Sequence, residues 1–187
     1  MSEFRLLSPN TSVTFSSCGS CRSCCGEKFF AAPLILNDFS AVASYFPIFF
    51  AHIKEWRAVI PLGSQTGMCP YLDHNGCTIY DKRPPACRLY PLSPFNDQLA
   101  IDRSCPAVDE PGIFLYDGQV SPLFYHERLQ NFNDKLIATR AWLSERVDRF
   151  VPFTQLRSLE FYCLEGAKDE FEELHLNSLA HASIFGL

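Results

Sequence analysis

Apolar side chains recur at Leu129, Phe132, Leu136, Leu143 and Val147, at spacings of three, four and seven, which predicts a long amphipathic helix. Ser121-Pro122 offers a cap followed by proline at the first helical position, and Pro152 is expected to end the helix. Thr154 is then a candidate cap for a second helix over "QLRSLEFYCLE", stopped by Gly166, and a third follows through "DEFEELHLNSLAHAS". Three successive helices predict a helical bundle over 121–187. Earlier in the chain, Asn37 is a candidate cap for "DFSAVASYF", and Pro47 interrupts or kinks the stretch after it. Between 63 and 118, Gly, Pro, Asn and Asp are frequent, so turns, loops and short strands are expected there. The pattern as a whole predicts a mainly α protein, α+β at most, whose irregular first half is packed against a C-terminal helical bundle.

A chain of 187 residues with 47% apolar side chains can bury a core as a single domain, 1–187, without cross-links. Nine cysteines are therefore not needed as a disulfide framework. The start, "MSEFRLLSPNTSVTF", carries Glu3 and Arg5 and no apolar run of the export type, and the apolar stretch "AVASYFPIFFAHI" is broken by Pro47. A soluble cytoplasmic protein with no membrane partner is the expectation, in a compartment where clustered thiols more often mean metal. The formal net charge of −5 argues against a nucleic-acid surface. The acidic run "KDEFEEL" is expected to be a solvated helix face. Neither G-x-G-x-x-G nor G-x-x-x-x-G-K-[ST] occurs, so a nucleotide or S-adenosylmethionine site of the Rossmann kind is not expected.

The cysteines carry the chemistry. "CGSCRSCC" places Cys18, Cys21, Cys24 and Cys25 within eight positions, and Cys69, Cys77, Cys87 and Cys105 come after them. A C-x-x-C spacing lets two sulfurs face a common point while backbone N–H groups aim at them. The adjacent pair Cys24-Cys25 diverges, so its members serve different ions or different corners of one site. Tetrahedral zinc and a [4Fe–4S] cluster each take four ligands, which leaves two four-thiolate sites or one site with surplus ligands. Cys18-x2-Cys21-x2-Cys24 matches three positions of the bacterial ferredoxin run, and Cys69-Pro70 and Cys105-Pro106 each offer a Cys-Pro, although the x3 spacing to a fourth cysteine is absent. Buried thiolate charge needs donors and cations around it, and Arg22, Arg83, Arg88 and Arg103 each lie within four residues of a cysteine.

"CGSCRSCC" together with "CPYLDHNGCTIYDKRPPACRLYPL" at 69–92 resembles the two signatures of the YkgJ-type cysteine-cluster family, proteins described as zinc- or iron-chelating and related to the flagellin lysine N-methylases. The resemblance covers about 15–106 and implies a metal-binding region over 15–110. It also implies that Cys18, Cys21, Cys24, Cys25, Cys69, Cys77, Cys87 and Cys105 are the ligands. The helical region 121–187 carries no such signature and is a candidate surface for a protein partner. In the second motif, Gly76 permits a positive-φ turn before Cys77, and Pro84 and Pro85 stiffen the approach to Cys87. Ile79, Tyr80, Leu89 and Tyr90 are expected to form strand-like pieces that wrap the site.

Other residues read more simply. Cys163 is expected to be a buried small hydrophobe on a helix, and His74 an exposed turn residue. His52, His126, His175 and His181 are scattered over predicted helices with no H-E-x-x-H arrangement. The pairs Phe29-Phe30 and Phe49-Phe50 are expected in the core. The function expected is metal binding, with iron or an iron–sulfur cluster slightly ahead of zinc. The alternatives are an iron–sulfur or metal-dependent enzyme of the methyl-transfer or redox type, with unknown catalytic residues, and a disulfide-linked scaffold.

Overall fold

The computed structural model describes residues 4–7, 25, 31–65, 67–95, 98–103, 105 and 122–187. In chain order these form β1 (Phe4–Leu7), β2 (Ala31–Leu34), α1 (Phe39–Val42), β3 (Phe49–Ile53), β4 (Glu55–Pro61), β5 (Leu72–Asp73) and β6 (Gly76–Cys77). There follow α2 (Pro85–Leu89), β7 (Leu92–Phe95), β8 (Gln98–Asp102), α3 (Pro122–Ser144), β9 (Phe150–Leu156), β10 (Leu159–Leu164) and α4 (Glu170–Ser178). An antiparallel five-stranded sheet in the order β2-β4-β3-β10-β9 is the centre of the molecule, beside the smaller sheets β1-β8-β7 and β5-β6.

This is an α+β fold, and the expectation of a mainly α protein with a C-terminal helical bundle is wrong. The segment read as a second helix is the β9–β10 hairpin, with Leu159 opposite Leu156 and Leu164 opposite Phe150. Its turn bends at Arg157, whose φ is +56°, and Gly166, with φ +75°, follows a strand rather than a helix. The first predicted helix exists as α3 but ends at Ser144, so Val147 lies in a 3-10 turn beyond it and Pro152 lies within β9. The third is α4 continued by a 3-10 segment, Leu179–Phe185, with Asp169 as its N-cap accepting the Glu172 N–H at 2.9 Å. Asn37 does not cap a helix; it sits inside a 3-10 turn, Leu36–Asp38, and α1 is only four residues long.

Strand alternation explains how the sheet is buried on both faces. Phe50, Ala58, Ile60 and Leu164 point into one cluster with Phe39, Phe46, Leu143 and Phe185, whereas Phe49, Ala51, Val59 and Phe161 point into a second with Ala182. The Phe49-Phe50 pair is thus core on two opposite faces. Phe29-Phe30 lies outside the described residues. Thr139 of α3, itself buried, accepts the Leu36 N–H at 3.1 Å and donates to Lys135 O at 2.8 Å, fixing the helix to the chain that enters α1.

Two polar devices lock α4 to the sheet. His175 is fully buried: Leu164 N–H donates to Nε2 at 3.0 Å, so Nδ1 carries the proton and donates to Ile48 O at 2.8 Å. Burial holds its pKa down to about 4. Glu172, read from the sequence as part of a solvated face, is also fully buried, although Glu170 and Glu173 are exposed. Arg149 donates to both of its oxygens, at 2.7 and 2.8 Å, and Arg146 Nε donates at 2.8 Å. The Arg149 hydrogen bonds are the chief reason its pKa falls to about 2. Among the described residues no helix is long and apolar enough to cross a membrane.

Candidate metal centre

The second cysteine motif hangs from the end of β4. A tight turn, in which Gly67 N–H donates to Ser64 O and Ser64 N–H donates to Met68 O, both at 2.9 Å, delivers Cys69. The Cys69 N–H then donates to Cys25 O at 2.8 Å, which joins the last cysteine of the first motif to the second motif through the backbone. Leu72 N–H donates to Cys69 O at 3.0 Å, closing the turn that leads into β5.

The β5–β6 hairpin positions Cys77 opposite Leu72. Asp73 Oδ1 accepts from Asn75 N–H at 2.7 Å and Gly76 N–H at 3.0 Å, and Gly76 has φ +123°, so the turn needs both an Asx acceptor and glycine. Thr78 N–H returns to Tyr71 O at 2.9 Å. Cys69 and Cys77 therefore belong to one small hydrogen-bonded unit.

Cys87 lies on α2, where Pro84 is extended and Pro85 is the first helical residue, as their stiffening role requires. Together with Tyr71, Ile79 and Ala86, Cys87 packs on the first core cluster. Ile79 and Tyr80 do not form the expected strand: Tyr80 opens a 3-10 turn and is 47% exposed, and Leu89 ends α2. Cys105 is buried, and its N–H donates to Asp102 O at 3.2 Å. Asp102 in turn accepts from Tyr90 OH at 3.1 Å, so the chain after α2 and the chain before Cys105 are tied together.

Of the predicted ligands, Cys25, Cys69, Cys77, Cys87 and Cys105 are described, whereas Cys18, Cys21 and Cys24, with Arg22, lie outside the described residues. No disulfide joins two described cysteines. Among the described residues no three cysteine, histidine or carboxylate side chains form a group able to hold a metal ion. The backbone joins Cys25 to Cys69 and carries Cys77 on the same unit, but a complete four-ligand set is not formed by these residues. Their donor chemistry is thiol, which suits zinc and iron–sulfur iron.

The predicted arginines are engaged locally. Arg83 Nε donates to Tyr80 O at 2.9 Å with its guanidinium 3.7 Å from the Tyr80 ring centroid, Arg88 Nε donates to Arg83 O at 2.7 Å, and Arg103 is exposed. His74 is exposed in its turn. Cys163 is buried as expected, but on strand β10, and burial pushes its thiol pKa up. His52 is exposed on β3 rather than on a helix. Sequence reading missed the role of His175, because nothing local in "ELHLN" marks a histidine that braces two distant backbone segments.

No curated protein and no solved structure gives a significant match to the chain. Residues 17–106 match the family model CxxCxxCC, described as "Putative zinc- or iron-chelating domain", and the match spans both cysteine motifs. The matched segment, 90 of the 187 residues, is similar to that family.

Proposed function

We propose that the protein binds zinc or iron through thiolates of Cys18, Cys21, Cys24, Cys25, Cys69, Cys77, Cys87 and Cys105, in a reducing, cytoplasmic setting. The observation that supports this reading is the hydrogen bond from Cys69 N–H to Cys25 O, 2.8 Å, because it brings Cys25, the last residue of the C-x-x-C-x-x-C-C motif, beside the first cysteine of the second motif. An iron–sulfur cluster is placed slightly ahead of zinc, on the ferredoxin-like spacing of Cys18, Cys21 and Cys24. Arg22, Arg83, Arg88 and Arg103 supply cationic charge near the thiolates. Ligands this dispersed must be gathered against chain entropy, so bound metal contributes to folding; in zinc-finger peptides the contribution is about 10–16 kcal/mol.

The test is elemental analysis and visible absorption of protein purified without oxygen. A brown protein with iron and sulfide supports the cluster, and a colourless protein with stoichiometric zinc supports a zinc site. Cys21→Ser should lose metal and Cys163→Ser should keep it. Metal-free wild type, or equal metal in both variants, would contradict the ligand set.

A further inference from the structure

The family match ends at residue 106, yet the segment that packs against the Cys69 turn comes from the far end of the described chain. Phe185, fully buried at the end of the 3-10 segment Leu179–Phe185, meets the Tyr71 ring edge-on at 6.2 Å between centroids. Phe46 packs against both, 5.3 Å from Tyr71 and 5.5 Å from Phe185 between ring centroids. The Tyr71 hydroxyl donates to Tyr45 O, so the ring is held both by packing and by a polar anchor. Tyr71 stands two positions after Cys69, and its own carbonyl receives Thr78 N–H, next to Cys77.

A second contact acts on the other side of Cys69. Gly186 turns with φ +73°, and its carbonyl accepts from Gln65 Nε2 at 2.7 Å. Gln65 lies in the Ser64–Met68 turn that delivers Cys69 to Cys25. A Cβ added at Gly186 would lie 3.7 Å from the Gln65 side chain, at ordinary van der Waals distance. The Cys69 turn is thus gripped before and after the cysteine by one short C-terminal segment.

We infer that the segment 179–187 is a positioning clamp for the thiol site, with Phe185 acting through Tyr71 and the Gly186 carbonyl acting through Gln65. This rests on the proposed metal-binding function for its consequence, but the clamp itself acts on Cys69 with or without metal. Residues that orient ligands without touching the metal commonly account for about 10- to 100-fold in metal affinity. Phe185 and Gln65 are such residues here, and Phe185 is contributed from outside the segment that carries the cysteine motifs, more than a hundred positions from Cys69 in sequence.

Two readouts separate the clamp from the metal reading. In metal-free, reduced full-length chain, the rate at which iodoacetamide alkylates Cys69 is followed by peptide mass spectrometry. With Zn²⁺ as the probe, affinity is measured by chelator competition. Phe185→Ala should raise Cys69 alkylation by about 10-fold and weaken Zn²⁺ binding by a similar factor. Gln65→Ala, at an exposed position where unfolding is not a concern, should move both in the same direction by less. Thr139→Ala, buried on α3 where it accepts the Leu36 N–H, should lower the melting temperature and leave both readouts unchanged. Unchanged Cys69 reactivity in Phe185→Ala and Gln65→Ala would overturn the clamp. So would equal changes in Thr139→Ala, which would mark general loosening. Wild type that takes up no Zn²⁺ or iron while Cys69 reactivity still responds would remove the metal reading and leave the clamp standing.

Discussion

The five-stranded sheet and the cysteine motif at 69–92 are built on different principles. The sheet carries long antiparallel registers, aromatic clusters on both faces and two buried polar locks at His175 and Glu172. The motif has a two-residue hairpin, a five-residue helix and turns held by individual side chains such as Asp73. Burial of apolar area can stabilise the first by itself. The second has little regular hydrogen bonding of its own, so its order comes from the elements that grip it and, on the proposed function, from metal.

The contrast can be broken hardest at Glu172. Glu172→Ala would strip Arg149 of its carboxylate partner and leave Arg146 with Asp169 and Glu145, and urea unfolding should show a loss of about 3–4 kcal/mol. Metal bound per folded molecule should stay the same, since the lock belongs to the sheet. His175→Ala strands Leu164 N–H and Ile48 O, and a loss of about 2–4 kcal/mol is expected by the same measurement.

Acid should act on the sheet in two windows. His175 has a folded pKa of about 4 against 6.5 for an ordinary histidine, so the unfolded chain takes up the proton first. Its contribution is complete above about pH 6.5 and is lost as pH falls toward 4. Glu172 has a folded pKa of about 2 against 4.5, so its contribution is complete above about 4.5 and is lost as pH falls through 2. Urea titrations at fixed pH should show stability declining through both windows. The upper decline should vanish in His175→Ala, and its persistence would assign it elsewhere.

Smaller effects sharpen the other side. Asp73→Ala removes the acceptor that closes the β5–β6 turn and should cost about 1 kcal/mol, read as weaker metal retention with little change in the sheet's urea midpoint. Cys163→Ser places a hydroxyl in an apolar site and should cost about 1 kcal/mol in urea unfolding with metal content unchanged.

The cysteine motifs were legible because their chemistry is local: spacing, Gly76 before Cys77 and Pro84-Pro85 before Cys87 can each be read from neighbours in sequence. Gly76 and Pro85 do what their residue types suggest. The sheet was not legible, for two physical reasons. Its hairpins turn at Lys54 and Arg157, with φ of +63° and +56°, where no glycine or asparagine announces a left-handed residue. Strand β3 is covered on both faces at its start, so "FFA" lacks the polar alternation that separates a strand from a helix. Glu172 shows the same limit in the acidic run, because its arginine partners lie 23 and 26 positions away. The Cys25–Cys69 junction likewise could not be read from either motif alone, since a backbone bond leaves no mark on residue type.

X-ray absorption at the zinc and iron edges of protein prepared without oxygen bears most directly on the central claim. A first shell made of sulfur, at about 2.3 Å for zinc, and lost from Cys69→Ser but kept in Cys163→Ser, is the predicted result. A first shell of nitrogen and oxygen alone, or a metal signal indifferent to Cys69→Ser, would contradict it.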